Sequence, residues 1–427
     1  MRREDLLRGL ENGSLLPRLE PVYGKDAPGA AARLRELMLE FGETFPCTGE
    51  SDTLLFSAPG RTELGGNHTD HQNGFGLAAS VDLDTIACVV PNHSTTIRIK
   101  SRHHSLAEVD LGNLSIHPEE TGSSVSLVRG VAARLNQLGY AVTGFDAYTT
   151  TRVLRGSGLS SSAAFEVLTA TIMNHLFCGG TLSLTQLAQV GQYAENAYFG
   201  KPCGLLDQMS CAIGGVVAID FQDPTAPLLR QLPFDLASHG YALCIVDSRA
   251  SHSDLTEDYA AITREMRQVA DCFGREVLGE VSFRQFMADL PLVRATCGDR
   301  AVLRAYHFFK ENRRVAQQMA ALEQDDFPAF LELVRQSGLS SFLYLQNVAT
   351  YRESRSQPLA LLLALAEELL HGRGACRVHG GGFAGTIQAF VPLDMLEGFV
   401  SGMEFLAGEG ACHVLSIRSC GSTLLIN

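Results

Sequence analysis

Apolar residues recur at helical spacing near the start of the chain, at Leu6, Leu7 and Leu10 and again at Leu34, Leu37, Met38 and Phe41, on either side of a break containing Pro and Gly. Residues 1–45 therefore read as helices, expected to cap the unit that follows. From Thr53 the pattern changes: β-branched and apolar residues gather between turn residues through Leu54 and Phe56, over 80–91 and over 95–100, predicting strands. A helix pattern over 125–138 closes at Gly139, and a strand over 145–153 leads through a Gly/Ser loop into a long helix over 160–177. The segment 214–221 with its Asp223-Pro224 turn reads as the last structure of a first domain. A strand over 241–247 opens the second, helical patterns fill 254–370, and strands over 386–391 and 413–417 bracket a helix over 393–406. Strands and helices alternate without regular βαβ spacing, which predicts an α+β fold rather than a doubly wound sheet. The expected units are a helical extension over 1–45, an N-terminal domain over 46–232 and a C-terminal domain over 233–427.

At 427 residues the chain exceeds what one core usually serves, in keeping with two domains sharing a cleft. Hydrophobic residues at 45% against 19% charged ones imply a folded globular protein. A net charge of −13 argues against a generic grip on nucleic acid or anionic membrane, since both need a basic face. The most apolar run, 359–370, is interrupted by Glu367 and Glu368 and reads as an amphipathic helix. Met1-Arg2-Arg3-Glu4-Asp5 lacks the apolar core of a secretory signal, so a cytoplasmic location is expected. The eleven cysteines are scattered singly without a C-x-x-C pair, several inside apolar runs (Cys88, Cys178, Cys244), and are expected to be small buried hydrophobes without chemistry.

Three segments carry groups suited to chemistry. In Gly156-Ser157-Gly158-Leu159-Ser160-Ser161-Ser162-Ala163-Ala164, glycines permit close backbone approach and the helix start offers unpaired N–H groups, a combination that suits a polyphosphate. Its serine hydroxyls are hard oxygen ligands for magnesium, and it is not a Walker A loop, because the Lys and its spacing are missing. Read alone, it also describes an N-capped helix after a flexible turn. Ala58-Pro59-Gly60-Arg61-Thr62-Glu63-Leu64-Gly65-Gly66-Asn67-His68-Thr69-Asp70-His71 packs a guanidinium, an imidazole and a carboxylate into turn-rich chain, where such groups can converge on a polyol. Its His68, Asp70 and His71 fit no familiar metal ligand set. Arg377-Val378-His379-Gly380-Gly381-Gly382-Phe383-Ala384-Gly385 places a glycine run before a strand, implying a tight turn or a close approach.

In order and separation these segments resemble the GHMP kinase superfamily, and in detail the galactokinase family, from about Leu37 to the C-terminus. Residues 58–70 are similar to the sugar-binding signature A-P-G-R-V-N-L-I-G-E-H-T-D, 156–164 to the ATP loop G-x-G-L-S-S-S-A, and 380–385 to the closing G-G-G-F-G-G. Gly200-Lys201-Pro202-Cys203-Gly204-Leu205-Leu206-Asp207-Gln208 resembles the family's G-x-x-C-G-x-x-D-Q. The resemblance implies the two-domain GHMP kinase fold: an N-terminal ribosomal-protein-S5-like domain 2 fold, a C-terminal ferredoxin-like α/β domain, and an active site in the interdomain cleft. It implies a sugar 1-kinase using ATP and Mg2+ on a small sugar, with galactose as the first expectation. A kinase for galacturonate, N-acetylgalactosamine or arabinose, or a non-catalytic galactose and ATP sensor, are the alternatives.

By the same resemblance Asp207 faces the attacking hydroxyl, as base or orienter, and Arg61 stands beside it and the phosphate. Gly156, Ser157, Gly158, Leu159, Ser160, Ser161 and Ser162 would hold ATP, and Ser162 with Glu195 the metal. Asn67, His68, Asp70, Gly204, Asp207 and Tyr259 would contact the sugar; Tyr259 lies in His252-Ser253-Asp254-Leu255-Thr256-Glu257-Asp258-Tyr259, similar to H-S-L-A-x-S-x-Y, with the following arginine displaced to Arg264. These roles agree with phosphoryl transfer, which asks mainly for alignment and for positive charge on the equatorial oxygens.

The chain also departs from the pattern. Asn67 replaces the signature glutamate and His71-Gln72 the usual Y-N, so less negative charge and a taste for a C6-modified sugar such as galacturonate are expected. Thr62-Glu63 stands for V-N, with Glu63 expected to pair with a neighbour. Arg155 precedes the ATP loop and is expected to project into solvent, and Ala384 replaces a glycine with only a small local change expected.

Overall fold

The computed structural model describes residues 1–46, 52–154, 156–250, 255–350, 352 and 355–427. The N-terminal helices are α1 Arg3–Glu11, α2 Leu16–Tyr23 and α3 Ala27–Thr44, and α2 and α3 each carry a proline in the first turn, where its missing N–H costs nothing. Their apolar stripe, with Leu6, Leu34, Leu37 and Phe41, packs on Leu55, Ile86, Cys88 and Val90 of the sheet beneath, as the cap reading expects.

The strands in chain order are β1 Leu54–Gly65, β2 Phe75–Pro91, β3 Thr96–Ser101, β4 Leu106–Asp110, β5 Phe145–Thr151, β6 Val216–Asp220, β7 Leu228–Leu232, β8 Tyr241–Asp247, β9 Ala375–His379, β10 Thr386–Pro392, β11 Cys412–Leu415 and β12 Thr423–Ile426. Among the described residues they form two sheets. An eight-stranded one runs β12-β1-β2-β5-β3-β4, with β6 on β2 and β7 on β6, and a four-stranded one runs β11-β8-β10-β9. β3 and β5 are parallel, and the other pairs antiparallel.

Helices α4 Ser124–Gln137, α5 Ser161–Phe177, α6 Leu184–Tyr193 and α7 Leu206–Ile213 cover the other face of the large sheet, burying Leu127, Val131, Leu168 and Ile172 against Phe56, Ala87 and Val89. The second lobe holds α8 Thr256–Asp271, α9 Phe283–Ala288, α10 Leu290–Cys297, α11 Asp299–Glu323, α12 Phe327–Ser340, α13 Pro358–Leu370 and α14 Leu396–Ala407. No helix among the described residues is long and apolar enough to cross a membrane.

Two readings of the sequence need correction here. The segment expected to be turn-rich from Ala58 is buried strand as far as Gly65, because Pro59 and Gly60 sit at a register shift that takes them out of the regular ladder. The expected end of the first domain near residue 221 is one arm of a hairpin, since β7 pairs with β6 across the Asp223-Pro224 turn, and β12 returns from the far end of the chain to pair with β1. Buried Asp84 fastens that closure. It accepts hydrogen bonds from Tyr23 at 2.7 Å, Arg33 at 2.6 Å, Ser57 at 2.7 Å and Arg418 at 3.3 Å, tying α2, α3, β1 and the C-terminal segment to β2.

Candidate active site

Arg61 reaches its position because β1 carries it past the loop that opens α5. Its backbone N–H donates to the Leu159 carbonyl at 3.1 Å, and a Cβ on neighbouring Gly60 would stand 2.9 Å from that same oxygen, so only glycine permits the approach. The guanidinium holds Asp207 in two-point fashion, Nε to Oδ1 at 2.7 Å and Nη2 to Oδ2 at 2.6 Å, and Nη1 donates to the Gly158 carbonyl. Ser160 Oγ donates to Asp207 Oδ2. Burial opposes ionisation of Asp207, but Arg61, Ser160 and Lys201 outweigh it and hold the carboxyl below its ordinary range. Its side chain is still 34% exposed, which leaves an edge open to a ligand.

The loop before α5 is built to leave that helix start free. Gly156 and Gly158 have φ of 71° and 70°, and Ser160 takes a left-handed φ of 55° as N-cap without capping the helix, its hydroxyl being spent on Asp207. Ser157 is buried and donates to the Leu154 carbonyl at 2.8 Å, Leu159 is core, and Ser161 and Ser162 begin the helix. The second lobe braces the loop: Thr386 Oγ1 donates to the Ser157 carbonyl at 2.8 Å, and His379 lies 3.0 Å from both Thr386 Oγ1 and Thr62 Oγ1. Burial pushes His379 down to about 3, so it is a neutral strut. Arg155 lies outside the described residues, so its expected exposure is left aside.

Ser162 Oγ donates to Glu195 Oε1 at 3.2 Å. Glu195 sits in a single π-helical turn, Ala194–Phe199, which re-aims it at the end of α6. Beneath it Gln208 donates to Glu195 Oε2 at 2.8 Å and to Glu166 Oε2 at 3.1 Å. Burial and the nearby Glu195 raise Glu166 well above the carboxylate range, and its Oε1 is buried without a partner among the described residues. These oxygens fit a hard divalent cation completed by phosphate and water, the manner in which magnesium is usually held. No cluster of three or more His, Cys, Asp or Glu side chains suited to a metal occurs among the described residues. Sequence reasoning passed over Glu166, Gln208 and Lys201, whose Nζ stands 3.4 Å from Glu195 Oε1. Glu166 was within reach, one helical turn after Ser162.

His68 and Tyr259 meet at the glycine turn after β9. His68, with a left-handed φ of 59°, has Nε2 3.1 Å from the Gly381 carbonyl, and burial pushes it down to about 3, leaving it neutral. Tyr259 donates to the Gly382 carbonyl at 2.8 Å and meets Phe383 edge-on. Any side chain at Gly204 would collide with the Asp70 carboxylate, so these two face each other directly. Phe383, rather than Ala384, takes the left-handed φ, of 58°, and so the alanine is tolerated. His252, Ser253 and Asp254 lie outside the described residues.

Asn67 differs from its expected setting. It is 0% exposed, with Nδ2 donating to Glu63 Oε1 at 3.0 Å and to the Gly380 carbonyl at 2.8 Å, while Oδ1 accepts from Asn347 at 2.9 Å and Ser341 at 3.4 Å. Glu63 does pair with a neighbour, buried Arg377. The carboxyl group expected to be missing at Asn67 is therefore present one contact away, where burial raises its pKa and the paired Arg377 opposes that shift. Relative to the signature, carboxylate and amide have changed places within a hydrogen-bonded pair.

The chain resembles known proteins in sequence and in fold. Residues 40–91 match the galactokinase galactose-binding signature and residues 126–215 the GHMP kinases N terminal domain. The chain is 30% identical to the galactokinase of Streptomyces coelicolor over 87% of its own length and 94% of that protein. It superposes on the Lactococcus lactis galactokinase complexed with galactose with a TM-score of 0.78 at 24% identity, covering 92% of this chain and 99% of that one. The Methanococcus jannaschii mevalonate kinase gives a TM-score of 0.60 at 13% identity, over 86% and 99%. A carboxylate gripped by an arginine at the free start of a helix is thus set in a matching sequence as well as a matching fold, and the chain belongs to the galactokinase family of GHMP kinases.

Proposed function

We propose that this protein transfers the terminal phosphoryl group of ATP to the anomeric hydroxyl of galactose, giving galactose 1-phosphate and ADP. The observation that carries the reading is the two-point Arg61–Asp207 pair held against the open start of α5. Asp207 accepts a hydrogen bond from the sugar hydroxyl and aligns it, and Arg61 keeps that carboxylate ionised while lending positive charge to the transferred group. The free N–H groups at the start of α5 and the backbone of Gly156 to Ser162 hold the phosphates. His68, Asp70, Gly204 and Tyr259 line the sugar side, and Asn67 fixes the turn behind it. The active site falls between an N-terminal unit over 46–232, rejoined by residues 423–426, and a C-terminal unit over 233–427, with 1–45 as a helical cap.

Ser162 and Glu195 would hold Mg2+, which would offset the negative charge of the phosphates. Glu195→Ala is expected to weaken metal binding by roughly tenfold or more, read as Mn2+ affinity by paramagnetic resonance in the presence of ATP. An unchanged affinity would remove Glu195 from the site.

ADP release from MgATP with galactose, galacturonate, N-acetylgalactosamine, arabinose and glucose tests the reading. Turnover should be fastest with galactose, the sugar of the binding signature that residues 40–91 match. Sugar-dependent ATP binding without turnover would replace the kinase by a sensor.

A further inference from the structure

Cys272 and Cys297 are 25 residues apart in the chain, yet their sulfurs lie 3.4 Å from each other. Cys272 caps the C-terminal end of α8 and Cys297 is the last residue of α10. Both thiols point at one acceptor, the Gln268 carbonyl, at 3.5 and 3.4 Å. Both are half-buried, at the rim of an apolar cluster that includes Met266, Val269, Phe286 and Val293, whereas Cys88, Cys178, Cys211, Cys244, Cys376 and Cys412 are closed off in the core.

We propose that Cys272 and Cys297 are a modification site, a dithiol that small-molecule disulfides oxidise to a reversible internal disulfide clamping the end of α8 to the end of α10. The sulfurs must approach by little more than about 1 Å to reach bonding distance. Both sit at helix ends, where the backbone can yield, and Cys297 is followed by Gly298 at a φ of 82°.

Oxidised glutathione illustrates the exchange. The Cys272 thiolate attacks one sulfur of the reagent, the reagent's S–S bond breaks, and one glutathione thiolate leaves. Cys297 then loses its proton to water and attacks Cys272 Sγ, expelling the second glutathione. Two protein thiols are oxidised and one small disulfide is reduced to two thiols. Burial and the Cys272 thiol push Cys297 up to about 11, which leaves the first attack to Cys272; the second step relies on the two sulfurs already lying 3.4 Å apart. The same α8 carries Tyr259 in its first turn, so the clamp acts on the helix that presents a candidate sugar contact.

The test uses the full chain treated with oxidised glutathione, freed of reagent and compared with the reduced protein. The expected product is lighter by two hydrogens, has lost two of its eleven thiols, yields one peptide pair joined through Cys272 and Cys297, and returns to the starting mass with dithiothreitol. Its thermal midpoint should rise by several degrees, since the bond closes a loop in the unfolded chain. Cys297→Ser should stop at a glutathione adduct on Cys272. A wild-type protein that keeps all its thiols, retains the adduct, or joins a different pair would overturn the proposal.

Discussion

Asp207→Asn is expected to lower kcat by roughly 10²–10⁴-fold while ATP still binds. Asparagine keeps the shape but presents an amide to a guanidinium that donates two hydrogen bonds to the Asp207 carboxylate, at 2.7 and 2.6 Å. Arg61 is then left without its counter-charge, and the sugar hydroxyl without an anionic acceptor. Asp207 lies below its ordinary pKa range, so it is ionised at neutral pH and a weak base, and in the proposed reaction its part is to orient the hydroxyl. A depressed pKa keeps the carboxylate charged as pH falls through the usual value near 4, so the acid limb of kcat should appear only below it, provided the fold persists. Calorimetric ATP titration alongside initial rates checks both parts, and a variant retaining turnover within tenfold of the parent would remove Asp207 as an essential group.

The Glu63–Asn67 exchange carries the second large effect. Glu63→Asn leaves Arg377 buried without its carboxylate, and Asn67→Glu sets two buried carboxylates against each other, which the single charge of Arg377 does not neutralise together. Each single change should cost roughly 3–5 kcal/mol of stability. The double variant restores the order of amide and carboxylate in the family signature, and it should recover most of that loss. Urea unfolding of the four proteins gives the coupling energy directly, and a coupling of at least about 1 kcal/mol is expected for residues in contact. Additive losses would mean that the two positions are independent and that Asn67 is an isolated departure. In the double variant galactose should remain preferred over galacturonate, because the pair keeps one carboxylate throughout.

Elements with strong local signals were legible in the sequence. The apolar run at 241–247 and the helical pattern at 160–177 reappear as β8 and α5 almost to the residue, and the glycines of the ATP loop occupy left-handed conformations. What escaped depends on distant pairing. β12 is four residues whose identity as a strand comes from its register with β1, Leu55 opposite Ile426. The burial of Ala58 to Gly65 is likewise imposed by distant segments: β2 along the sheet, the Leu159 carbonyl at Gly60 and Gln318 of α11 at Gly65. The site shows the same division: Arg61, Asp207, Ser162 and Glu195 came from motifs, whereas the Glu63–Asn67–Arg377 chain and the Cys272–Cys297 pair join segments that no local pattern connects. Asn67 is the instructive residue. Its substitution read as a loss of charge because its partner, four residues earlier on the same strand-to-turn segment, was considered separately.

The most direct test of the account is phosphorus NMR of the product formed from MgATP and galactose. The account predicts a sugar phosphate whose phosphorus couples to the anomeric proton, formed in step with ADP. A phosphate on any other carbon, or ADP released without sugar phosphate, would contradict it.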